Sequence, residues 1–147
     1  MIKWYRFNNF QSYLDDCYVD FTVNKKTTNS YFDYELNDGS KISKVMCVLG
    51  ANGSGKSNLL KPLSFLSWFV PHSFQGLDKD EPIPIIPHFS AKDKNTIIEL
   101  ECLIPKFKLE ECESEGEEAC NRDFEFRYLL EVNKDRVIRE EVKYKSS

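Results

Sequence analysis

A chain of 147 residues with 41% hydrophobic and 30% charged side chains has the composition of one globular domain, which excludes a disordered or fibrous chain. No run approaches about eighteen apolar residues, and the first six lack an uninterrupted apolar stretch. Neither a membrane span nor a secretion signal is therefore expected, and a cytoplasmic address follows. The formal charge of −4 supplies no overall pull toward nucleic acid and leaves contact with DNA undecided.

Residues 2–10 and 18–23 are rich in aromatic and β-branched side chains, and the polar stretch 11–16 between them predicts two short strands. Residues 24–30 form a polar connector. Residues 31–36 predict another strand before the turn signal Asn37-Asp38-Gly39. Val45-Met46-Cys47-Val48-Leu49 is apolar without alternation, the pattern of a strand buried on both faces. It leads directly into a glycine-rich loop. Beyond the loop, Leu59, Leu63, Leu66 and Val70 recur at helical spacing, while Leu60, Phe65, Trp68 and Phe69 fill most of the remaining circumference. This predicts a helix buried nearly all round, bent near Asn58 by Pro62 and ended by Pro71.

The proline–isoleucine alternation of residues 82–87 cannot be helical and predicts an extended run across the surface. Residues 96–104 alternate Ile98, Leu100, Cys102 and Ile104 against Glu99 and Glu101, predicting a half-buried strand stopped by Pro105. Residues 124–132 alternate again, Asn133-Lys134-Asp135 turns the chain, and residues 136–144 return as a hairpin. Between these strands, residues 105–122 predict an acidic hairpin connection, its six glutamates at 110–118 forming a solvated tip. The five cysteines are odd in number and never spaced as Cys-x-x-Cys, which argues against a disulfide framework and a zinc site. Cys47 and Cys102 read as small reduced hydrophobes, and His72 and His88, each after a proline, as capped turns or exposed loops.

One segment carries chemistry. Gly50-Ala51-Asn52-Gly53-Ser54-Gly55-Lys56-Ser57 fits Gly-x-x-x-x-Gly-Lys-Ser, the Walker A phosphate-binding loop, at every fixed position. Its glycines allow positive φ and leave no β-carbon in the way, so successive N–H groups can turn around phosphate oxygens. The helix that follows adds unpaired amides and the positive end of its dipole. Lys56 is the candidate catalytic residue, a point charge for the β- and γ-phosphates; Ser57 is the candidate Mg²⁺ ligand, and residues 50–58, through Asn58, are candidate nucleotide contacts. The expected cofactors are ATP and Mg²⁺. A GTPase is excluded because no glycine has an aspartate three residues before it and Asn133-Lys134-Asp135 is followed by Arg136. A nucleotide kinase is disfavoured because more than forty residues of strand-like sequence precede the loop.

Asn52-Gly53-Ser54-Gly55-Lys56-Ser57-Asn58-Leu59-Leu60, together with Phe7-Asn8-Asn9-Phe10-Gln11-Ser12, resembles the ABC-type ATPases of the structural-maintenance-of-chromosomes and RecF kind. Within that group it is most similar to AAA-labelled ATPases related to OLD-family and abortive-infection proteins of phage defence. The resemblance implies a P-loop NTPase lobe of α/β class, a mixed sheet with antiparallel strands flanking a strand–loop–helix unit. It also implies ATP hydrolysis between two lobes brought head to tail, coupled to an effector such as a nuclease. In the family the early motif commonly reads Phe-Arg-Ser near the nucleotide; here Gln11 replaces the arginine, which leaves Gln11 and Ser12 as candidate contacts. The family's Ser-Gly-rich signature and Asp-Glu strand do not occur before Ser147, so residues 1–147 are expected to form a single amino-terminal, incomplete lobe that needs a partner chain or dimer. The alternative is a non-hydrolysing nucleotide-binding or interaction fragment.

Overall fold

The computed structural model describes residues 1–36, 38–78, 81–104 and 124–146. Its centre is β1 (Ile2–Asn8), in which Tyr5 and Phe7 are fully buried. β1 pairs on one edge with β2 (Cys17–Asp20) and on the other with β6 (Thr96–Ile104). β6 pairs in turn with β7 (Phe124–Val132), and β7 with β8 (Val137–Ser146). The resulting five-stranded sheet, ordered β2-β1-β6-β7-β8, is antiparallel throughout. Tyr5 stands opposite both Val19 and Leu100, and Leu100 opposite Tyr128, so one face of the sheet is continuously apolar.

Helix α1 (Lys56–Gly76) covers that face with Leu66 and Phe69, which join Tyr5, Phe7, Ile98 and Leu130 in the core. Each such side chain removed from water contributes about 1.5–3 kcal/mol before entropy is counted. A second sheet, ordered β3-β5-β4, is formed by β3 (Thr22–Val23), β4 (Asp33–Glu35) and β5 (Lys41–Ser43). The outer face of the large sheet is laced with charge: Glu99, 2% exposed, lies between Arg6 and Arg127, and Lys3 bridges Glu101 and Glu125. Among the described residues no helix is long and apolar enough to cross a membrane.

Several expectations are corrected. Residues 45–49 join no strand ladder and are exposed, Leu49 by 90%, because the described chain supplies no strand beside them. The predicted mixed sheet is correspondingly not formed, every described pairing being antiparallel. α1 is not buried all round: Leu60 and Val70 are exposed on the face turned from the sheet. Nor does Pro71 end it, the helix running on to Gly76, so that His72 lies within α1 rather than in a turn or loop, its Nδ1 meeting Trp68 O at 3.1 Å. Residues 82–87 are extended but do not lie on the surface, since Ile83 and Ile85 alternate into the core while Pro84 and Ile86 face out. Ile83 N–H donates to Lys134 O, which ties this run to the β7–β8 turn. Cys47 is exposed rather than packed, whereas His88 sits in a capped turn as expected, buried, with its Nδ1 accepting from Ser90 N–H. The acidic connection 105–122 and Asn37 of the turn signal lie outside the described residues.

Candidate functional site

The glycine-rich loop opens α1. Gly53 and Gly55 hold φ of 80° and 88°, a left-handed conformation that costs a residue with a β-carbon roughly 1–2 kcal/mol. Those two turns redirect the backbone so that α1 starts without a side-chain cap and with no acidic residue in its first turn. The first helical bond runs from Leu59 N–H to Gly55 O, and the N–H groups of Gly55, Lys56, Ser57 and Asn58 find no partner among the described residues. Four unpaired donors at the positive end of a 21-residue helix favour an anion there.

These groups line a cleft of about 370 Å³ formed by residues 52–58 and Ser12. Lys56 folds over the loop, its Nζ donating to Gly50 O at 2.8 Å and Ala51 O at 2.6 Å. The ammonium is thus held at the loop by two weak neutral acceptors that charged phosphate oxygens would outcompete. A β-carbon at Gly50 would come within 2.9 Å of Ser54 Oγ, a contact that a turn of the exposed Ser54 side chain relieves. Ser57 is exposed at the mouth, its hydroxyl making no hydrogen bond among the described residues. The donor set suits a magnesium-bound nucleotide phosphate: amides and Lys56 for the oxygens, Ser57 for the metal.

The turn after β1 forms the cleft's opposite wall, and it separates the two early candidates. Ser12 lies in the cleft, its Oγ accepting from Asn58 Nδ2 at 2.9 Å. Gln11 does not line the cleft; its Oε1 accepts from Lys61 Nζ at 2.9 Å, one helical turn further along. Tyr13 packs against Gly55, with its hydroxyl donating to Gly55 O at 3.3 Å. Tyr5 hydroxyl donates to Leu59 O at 3.0 Å, and burial pushes its phenol up to about 12, which keeps that donor protonated. The turn itself is anchored by Asn9, buried, whose Nδ2 donates to Ala91 O and Lys94 O while its Oδ1 accepts from His88 N–H. Sequence reasoning missed Asn9, Tyr13 and Lys61, because their partners lie tens of residues away and only the folded register brings them together. The repeated Asn8-Asn9 after a strand was the one available signal of a side chain closing a turn.

Two other hollows border this region. A larger cleft, about 640 Å³, is lined by Asp15, Asp16, Asp93 and Glu131 against the single cation Lys94, an excess of negative charge that disfavours phosphate. Among the described residues no group of three or more His, Cys, Asp and Glu could hold a metal ion. An apolar trough of about 370 Å³ runs from Met46 and Val48 past Tyr5, Phe21 and Leu60 and reaches Lys56 and Ser57. Neither the cleft at the glycine-rich loop nor the trough is lined by a carboxylate. Glu99 is committed elsewhere: burial acts to raise its pKa, yet hydrogen bonds from Arg127 and Arg6 outweigh burial and hold the carboxyl below its ordinary value.

Residues 45–146 match the family described as "AAA domain, putative AbiEii toxin, Type IV TA system". The match begins at the apolar run before the loop and extends through β8. No curated protein and no solved structure matches the chain significantly.

Proposed function

Because the chain belongs to this family of AbiEii-type AAA domains, related to abortive-infection systems, we propose that residues 50–58 bind ATP with Mg²⁺ and that the site hydrolyses it once completed by a second polypeptide surface. The observation that carries the reading is the set of unpaired amides of residues 55–58 converging with Lys56 on one cleft. Lys56 would neutralise the β- and γ-phosphates and Ser57 would hold the metal, while Asn58 and Ser12 close the rim. Bound Mg²⁺ would supply charge neutralisation across the phosphates.

Two features support completion by another surface. No carboxylate lines the cleft or the adjoining trough, whereas phosphoryl transfer needs a group that orients the attacking water and further charge at the transition state. Residues 45–49 also present an exposed apolar run whose Met46–Leu49 peptide groups make no hydrogen bond among the described residues, a surface suited to an added strand. In the ABC-type reading that surface comes from a head-to-tail copy or a partner chain, and the exchange gates an effector such as a nuclease in phage defence. The second reading, a binding fragment without hydrolysis, is favoured by the same absence of carboxylates.

Phosphate release by the purified chain at saturating Mg-ATP, with Lys56→Ala as background, tests the proposal. The expected result is turnover near the mutant background for the chain alone, rising when a partner that completes the site is added. Robust turnover by the isolated chain, abolished by Lys56→Ala, would contradict the need for completion. No binding of Mg-ATP would contradict the whole assignment.

A further inference from the structure

Among the described residues, the two non-glycine residues with positive φ, Asn9 at 47° and Gln11 at 51°, both fall in the turn that faces the phosphate cleft. Such conformations persist only where the surroundings over-determine them. Here the constraints are explicit. Gln11 N–H donates to Ile86 O at 2.8 Å, Phe10 and Tyr13 exchange backbone bonds, and Asn9 is held from the 88–95 loop. The strained turn then delivers two side chains to successive turns of α1. Ser12 meets Asn58, and Gln11 meets Lys61.

Resting on the assignment of residues 50–58 to nucleotide phosphate, we propose that Lys61, held by the Gln11 amide, is a second cation of that site, an electrostatic positioning residue rather than a first contact. Lys61 lies four residues beyond Ser57, one turn along the helix and roughly 6 Å of rise from it, on the same helical face as Ser57 and Asn58. Left to itself, an exposed lysine would swing into solvent. The acceptor Oε1 of Gln11, adjacent in sequence to the cleft residue Ser12, holds the ammonium beside that turn instead. A neutral partner matters, since a carboxylate at position 11 would hold the lysine equally well but cancel its charge. No acidic side chain lines the cleft to offset that charge. At such range the contribution is within reach of one Debye length and is therefore graded by salt.

The test is calorimetric titration of Mg-ATP at low and high salt into wild type, Lys61→Gln, Lys61→Arg, Gln11→Glu and Lys56→Ala, with melting temperatures recorded without nucleotide. Lys61→Gln is expected to weaken binding about threefold at low salt and to flatten the salt dependence. Gln11→Glu should do likewise although the tether is kept, and Lys61→Arg should restore wild-type behaviour. Unliganded melting temperatures should be unchanged. The proposal is overturned if Lys61→Gln keeps both affinity and salt slope while Lys56→Ala loses binding, or if Gln11→Glu binds as wild type does. Failure of the wild type itself to bind Mg-ATP would overturn it together with the phosphate assignment, and is told apart by that wild-type trace.

Discussion

Gly55 meets three demands at once: a φ of 88°, an amide left free at the helix start, and close approach of Ser12 and Tyr13. A β-carbon there would lie 3.2 Å from Ser12 Oγ and 3.4 Å from Tyr13 Oη, whereas at Gly53 it would meet nothing within 4 Å. Gly55→Ala should therefore cost about 1–2 kcal/mol from backbone strain and also displace the cleft wall. Gly53→Ala should carry the backbone strain alone. Urea unfolding with and without Mg-ATP separates them: Gly55→Ala should lose more nucleotide-dependent stabilisation than Gly53→Ala, and equal losses would contradict the packing argument. The loop's residue types were legible in the sequence because every fixed position has a local reason. The partition of Gln11 and Ser12 was not, since it depends on which side chain of a left-handed turn faces α1.

Glu99 also illustrates what residue patterns conceal. Alternation assigned it to the outer face, and it is on that face, but two arginines cover it to 2% exposure. Its folded pKa is depressed, so its stabilisation is fully present above the unfolded value near 4.5 and is lost as pH falls through the lower, folded value. Glu99→Gln should accordingly destabilise the protein at neutral pH by about 1–3 kcal/mol. The gap from wild type should close as the pH is taken below the ordinary carboxylate range. A gap independent of pH in a series of thermal melts would contradict the paired-carboxylate account.

At the scale of elements, the bounds of β6 and β7 could be read from sequence because each buries one face against a neighbour, but the alternation fails at the end of β6, where Leu103 is fully buried and Ile104, expected inward, is 48% exposed. β5 was not read, its three residues being too short for a period. Residues 45–49 were misread for a different reason: an unbroken apolar run records that burial is required, and says nothing of which surface supplies it. Val48 is 40% exposed, and Leu130 fully buried. Val48→Ser should change the stability of this chain by no more than about 0.5 kcal/mol, as for surface positions. Leu130→Ala, which leaves a core cavity, should cost roughly 2–5 kcal/mol. Denaturant midpoints measure both, and a Val48→Ser loss approaching that of Leu130→Ala would mean that residues 45–49 already pack within this chain.

For the whole molecule, the antiparallel sheet and α1 form a core that holds the glycine-rich loop against a fixed turn, while the trough beside residues 45–49 stays open. Family membership covers the loop and everything after it, and the residues before it supply Ser12 and the wall that Gly55 packs against. We propose that this scaffold presents a ready nucleotide-phosphate site. Calorimetric titration of Mg-ATP into the wild-type chain and into Lys56→Ala tests it most directly. Saturable binding by the wild type, weakened roughly ten- to a hundredfold by loss of one charge-assisted contact, is the predicted result. Equal affinity in the two proteins, or no heat in either, would contradict it.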